Sequence, residues 1–169
     1  MRKNLVLLGM MGVGKSTLGK IVAKKQGLIF IDTDLNIEKK YSMKISEIFK
    51  KKGEKFFRLE EEKEVLKSLN KNECVIALGG GAFMKKTVRN RILKDSISIW
   101  LDINLNTLIK RLGSNKKRPL LHGENMHIEI NKLYEERRNI YKLAKYKINC
   151  DNISKENIVK KILIFYEKQ

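Results

Sequence analysis

The chain predicts an α/β fold, a parallel sheet with helices on both faces, and three observations carry that expectation. Short apolar runs alternate with amphipathic helical stretches along all 169 residues, the pattern of a parallel sheet covered on two sides. The strand-like runs are apolar at successive positions rather than at every second one, as strands buried on both faces are. A glycine-rich stretch from Gly9 to Ser16 falls where the first strand meets the first helix, the place where such sheets bind anionic ligands.

Taken in order, residues 4–8 read as the first strand and 15–25 as the first helix, with Gly27 just past its end as a C-cap. A second strand over 28–31 leads to helices over 34–41, 45–52 and 54–69. The third strand, 74–78, runs into Gly79, Gly80 and Gly81, and a helix follows at 85–94. A fourth strand at 98–101 precedes a helix at 105–111. The stretch from Gly113 to Asn125 has no periodicity and holds Pro119, the chain's one proline; an aperiodic loop of that length within a compact domain reads as a lid or binding loop. A helix over 128–145, a fifth strand at 146–149 and a last helix at 155–166, capped by Ser154, complete the order. The length suits one domain, residues 1–169, with a core of its own and no linker or repeat.

Composition excludes several classes. No apolar run reaches the length of a membrane span, and Leu5 to Leu8 is too short for a leader, so a cytoplasmic protein with no membrane partner is expected. Cys74 and Cys150 are far apart and lack metal-ligand spacing, and His122 and His127 have no third ligand at usable spacing. The net charge of +18 comes from lysines spread over nearly every helical segment. That is a solvated surface rather than a nucleic-acid footprint, so no nucleic-acid partner is expected. Only eight of the 37 basic residues are arginine. Each arginine at a motif-like position is therefore informative, because its planar fork grips carboxylate or phosphate in a way lysine does not.

Gly9-Met10-Met11-Gly12-Val13-Gly14-Lys15-Ser16 matches Gly-x-x-x-x-Gly-Lys-Ser/Thr between a strand and a helix. The glycines let backbone N–H groups face phosphate oxygens, Lys15 reaches the outer phosphates, and the Ser16 hydroxyl serves a magnesium ion. No acid ends the third strand, so the carboxylates are sought on the second, at Asp32 and Asp34. One can serve the metal and the other an acceptor hydroxyl; Asp34 could instead cap the helix that follows. A switch GTPase is excluded, since no Asp-x-x-Gly and no guanine-reading Asn-Lys-x-Asp is present. Arg58, with Glu61 at i+3 to orient it, and Arg137 suggest an acceptor carrying a carboxylate as well as hydroxyls. Arg118, in the aperiodic stretch, would bring positive charge to the transferring phosphoryl group.

These residues together resemble the shikimate kinase family over essentially the whole chain. The likeness rests on the Gly9 to Thr17 loop, Asp32-Thr33-Asp34, Phe57-Arg58-Leu59-Glu60-Glu61, the triplet Gly79-Gly80-Gly81, Arg118-Pro119-Leu120-Leu121, and Glu136-Arg137 followed by Tyr141. The resemblance implies a three-layer phosphate-loop kinase fold with strand order 2-3-1-4-5, a substrate-binding region near 32–61 and a lid near 112–126. The activity it implies is transfer of the γ-phosphoryl of ATP to the 3-hydroxyl of shikimate, with Mg2+, by a protein expected to be monomeric. Carried over, Gly12, Val13, Gly14, Lys15, Ser16, Thr17, Arg111 and Arg118 bind ATP, with Arg111 stacking on adenine. Asp34, Arg58, Gly79, Gly80, Gly81 and Arg137 bind shikimate, and Lys15, Asp34 and Arg118 carry the catalysis. Ser16 and Asp32 serve the metal, while Phe49 and Phe57 wall the ring site or belong to the core. The Arg-x-x-x-Tyr spacing favours Arg137 over Arg138 as the carboxylate ligand, and Lys155 stands where some relatives hold adenine with proline.

Overall fold

A computed structural model describes residues 2–113 and 126–168. Its strands are β1 (Asn4–Leu8), β2 (Ile29–Asp32), β3 (Cys74–Ala77), β4 (Ser96–Asp102) and β5 (Tyr146–Asn149). All pairings are parallel and the sheet runs β2-β3-β1-β4-β5, the order that the family resemblance implies. The helices are α1 (Lys15–Gln26), α2 (Thr33–Tyr41), α3 (Ile45–Leu69), α4 (Lys86–Asp95), α5 (Leu105–Gly113), α6 (Met126–Tyr141) and α7 (Lys155–Glu167).

β1 is the centre of the sheet, with Leu5 beside Val75 on one flank and Ile97 on the other. All five of its residues are buried, which is why its sequence is apolar without alternation. Pairing of β1 with β3 sets the glycine-rich loop and the glycine triplet side by side, and the Leu78 N–H donates to the Leu7 carbonyl at 3.0 Å. The site therefore forms at the C-terminal edge of the sheet, where the direction of winding reverses.

Among the described residues, two hydrophobic clusters hold the fold. The larger wraps both faces of the sheet, with Leu5, Leu7, Ile76, Ile97 and Trp100 among its buried members. A smaller one joins α2 to the first part of α3 through Ile37, Ile48 and Phe57. Glu60 borders it, accepting from Lys40 at 2.6 Å, Tyr41 at 2.7 Å and Lys63 at 2.8 Å.

Differences from the expected elements have local causes. The helices expected at 45–52 and 54–69 run on as α3, but Gly53 between them has φ 82° and ψ 163°, which breaks the helical path. β4 begins at Ser96, two residues early, because Ser96 and Ser98 face the interior and hide the apolar signal; Ser98 Oγ accepts from the Lys145 N–H at 2.9 Å. α6 stops at Tyr141, since the Leu143 and Ala144 N–H groups bond three residues back, to Ile140 and Tyr141. A 3-10 turn at Ala82–Met84 was not expected and follows the glycine triplet directly. Gly27 and Ser154 cap α1 and α7 as anticipated. Cys74 and Cys150 are both buried free thiols, and among the described residues no helix is long and apolar enough to cross a membrane.

Candidate active site

The phosphate loop leaves β1 at Gly9, whose φ of 137° is open to glycine alone and whose Cα would carry any Cβ into the Leu101 carbonyl oxygen. Lys15, the first residue of α1, is nearly buried and arches back over the loop, donating from Nζ to the carbonyl oxygens of Gly9 at 2.8 Å and Met10 at 2.9 Å. Val13 is buried and anchors the loop, Gly12 and Gly14 turn it with positive φ, and Thr17 is exposed on the first turn of α1.

β2 delivers its two acids to different tasks. Ser16 donates its hydroxyl to Asp32 Oδ2 at 2.5 Å, while Asp32 Oδ1 accepts from the Leu35 N–H at 3.1 Å and so caps α2. The cap considered for Asp34 thus belongs to Asp32. Asp34, on the first turn of α2, points instead to the glycine triplet, and its Oδ1 is buried with no hydrogen-bond partner among the described residues. Burial, followed by the negative charge of Glu61, pushes its carboxyl up to about 6, against the downward pull of Lys15. The Glu61 carboxyl is itself raised, chiefly by burial, with Arg58 opposing.

The triplet is glycine because four side chains close on it. A Cβ on Gly79 would meet the Asp34 carboxylate and stand 2.6 Å from Glu61 Oε1; one on Gly80 would stand 3.0 Å from Arg137 Nη1; one on Gly81 would run into the Arg58 guanidinium. Thr33 fixes the triplet's start: its hydroxyl donates to the Ala77 carbonyl at 3.3 Å and accepts from the Gly79 N–H at 3.0 Å. The Gly80 and Gly81 N–H groups donate to no group among the described residues. Two such amides flanked by two guanidinia suit a carboxylate.

Arg58 is held by Glu61 at 2.8 Å and Glu54 at 3.2 Å, and lies 5.3 Å from the Phe57 ring and 5.8 Å from the Phe49 ring. Phe57 is buried in the smaller cluster and Phe49 packs on it, so both serve the core while carrying the guanidinium. Arg137 is buried and faces the triplet. Arg138, the alternative, lies 5.9 Å from the Tyr134 ring, its Nε buried without a hydrogen-bond partner among the described residues. Sequence reasoning left Thr33 and Tyr141 without roles. The Tyr141 hydroxyl donates to the Gly80 carbonyl at 2.5 Å, a contact that the i+4 spacing from Arg137 could have suggested. Arg111 sits exposed on the last turn of α5, near enough to Cys150 for its charge to oppose the burial that pushes that thiol up to about 12. Arg118 and residues 114–125 of the expected lid lie outside the described residues.

A phosphate loop at the switch point of a parallel sheet, opposite an acid and paired guanidinia, defines a phosphate-loop kinase of small molecules. Residues 11–167 match the sequence profile of the family described as Shikimate kinase. A shikimate kinase of Sulfurihydrogenibium sp. is 43% identical over 162 residues, covering 95% of this chain and 96% of that one. The structure of shikimate kinase from Acinetobacter baumannii in complex with shikimate superposes with a TM-score of 0.91 at 32% identity, covering 99% of this chain and 96% of that one. A gluconokinase from Sinorhizobium meliloti, at TM-score 0.64 and 15% identity, shares the fold alone. The chain belongs to the shikimate kinase family.

Proposed function

We propose that this protein transfers the γ-phosphoryl group of ATP to the 3-hydroxyl of shikimate, giving shikimate 3-phosphate and ADP. The observation that carries the reading is the convergence of Asp34, Glu61, Arg58 and Arg137 on three consecutive glycines beside the phosphate loop. In it, Arg58, Arg137 and the Gly80 and Gly81 amides hold the acceptor's carboxylate, and Asp34 and Gly79 hold its hydroxyl side. The acceptor oxygen attacks the γ-phosphorus, its proton passes to Asp34, and the bond from phosphorus to the bridging oxygen breaks to release ADP. Gly12 to Thr17 cradle the phosphates, Lys15 and Arg118 stabilise charge on the transferring group, and Arg111 packs on adenine. The reading is of an enzyme that acts as a monomer of one domain, with its substrate-binding region near 32–61 and its lid near 112–126.

Magnesium fits the residues present. The Ser16 hydroxyl and Asp32 carboxylate lie 2.5 Å apart beside the loop, both hard oxygen donors. Two protein oxygens are too few to bind the ion alone, so these residues would hold it together with the nucleotide's phosphates. When bound, it neutralises phosphate charge. A coupled assay of ADP release with ATP, magnesium and shikimate tests the assignment. Turnover that depends on shikimate, and not on gluconate or nucleosides, is expected; folded protein showing no such turnover would reject it.

A further inference from the structure

Tyr141 has no part in the roles above, yet its hydroxyl lies where the acceptor clamp meets the phosphate loop. We propose that Tyr141 is a positioning residue for the acceptor's carboxylate, its one hydroxyl holding the Gly80 peptide and the Arg137 guanidinium in fixed relation. The proposal rests on the acceptor site assigned under Proposed function.

A phenol has one proton to give and a lone pair that can face a cation, and Tyr141 is placed to use both. It donates to the Gly80 carbonyl at 2.5 Å, and its oxygen lies near enough to the Arg137 guanidinium for that charge to oppose the burial that raises the phenol. The N–H and C=O of a trans peptide point in opposite directions. Holding the Gly80 carbonyl therefore aims the Gly81 N–H away from Tyr141, and that amide is one of the two with no acceptor among the described residues. The guanidinium and the peptide whose amide would share one carboxylate thus both lie beside one oxygen.

The anchor of that oxygen is rigid. The Tyr141 ring is 1% exposed and packs on Trp100 of β4 with centroids 6.0 Å apart. Trp100 also borders the loop, since its Cδ1 lies 3.5 Å from where a Cβ on Gly9 would stand. A Cβ on Gly80 would in turn lie 3.7 Å from the Met11 amide nitrogen and 3.8 Å from the Gly9 carbonyl oxygen. The chain of contacts Gly9–Trp100–Tyr141–Gly80 therefore closes on itself, and it ties the carboxylate clamp to the strand beside the one that carries the phosphate loop. Packing alone would be met by phenylalanine. The hydroxyl costs desolvation in this buried site, and its hydrogen bond to Gly80 beside a guanidinium offsets that cost.

The test is Tyr141→Phe in the full chain, with shikimate and ATP varied separately in the coupled assay. The KM for shikimate should rise about 5- to 20-fold while that for ATP stays within about twofold. In an Arg137→Lys background the same change should add less than about twofold, because the relation it maintains is already broken. No rise, an equal rise for both substrates, or full additivity with Arg137→Lys overturns the proposal. A loss of folded protein lowers the apparent kcat but leaves KM unmoved, so the ratio of the two KM values remains decisive for a destabilised variant. If Arg58→Lys and Asp34→Asn leave shikimate turnover intact, the acceptor site falls and Tyr141 with it. If they impair turnover while Tyr141→Phe does not, Tyr141 alone is misassigned.

Discussion

Asp34, the acid proposed to serve the acceptor hydroxyl, opposes stability at a single residue. Its carboxyl rises from 3.8 to about 6 because burial and Glu61 disfavour the charge. The folded state thus holds this proton more tightly than the unfolded chain. The resulting penalty is absent below about pH 3.8, grows as pH rises towards 6, and is complete above it. Asp34→Asn should therefore raise stability at pH 7.5 by about 2–3 kcal/mol, roughly 5–10 °C in Tm, with the gain vanishing near pH 4. Thermal scans across that range check it, and the same variant should lose about 100-fold or more in kcat. Arg58 makes the complementary case. Its fork is already oriented by Glu61 and Glu54, and lysine supplies charge without the two parallel donors. Arg58→Lys should raise the KM for shikimate about tenfold or more and leave that for ATP within about twofold. Both residues stood out in the sequence because their motifs fix residue type and spacing. The pairing of Asp34 with Glu61 did not, since 27 positions separate two acids that meet only across the end of β3.

At the scale of elements, the site is made where three of them end: β1 in the phosphate loop, β2 in the Asp-Thr-Asp turn, and β3 in the glycine triplet. The triplet is the tightest of these junctions, because two carboxylates and two guanidinia approach the backbone as closely as missing side chains allow. Gly81→Ala places a methyl group in the Arg58 guanidinium and should raise the KM for shikimate about tenfold, with little change for ATP. A crystal structure with Arg58 swung off Glu61 would show why. Element types were legible from the apolar runs, while several ends were not. Serines inside β4 and the i→i−3 bonds after Tyr141 move the boundaries, and both depend on packing partners from elsewhere in the chain.

For the whole molecule, the net charge of +18 sets a general cost of self-repulsion that no single pairing removes. Raising KCl from about 0.02 to about 0.3 M should screen it and raise Tm by about 3–6 °C, a change that thermal unfolding at neutral pH measures directly. A fall in Tm would show that attractive ion pairs, such as those of Glu60, outweigh the repulsion. The sequence by itself determined the parallel α/β class, the phosphate loop, the two acids and the two arginines, because each depends on local periodicity or on a motif whose spacing is chemical. Only the tertiary structure decided that Asp32 rather than Asp34 caps α2, that Asp34 meets Glu61 at the triplet, and that the Tyr141 hydroxyl bonds Gly80. Those choices are made by strand order and helix rotation, which bring together residues as many as 61 positions apart, and no local pattern encodes a contact of that range.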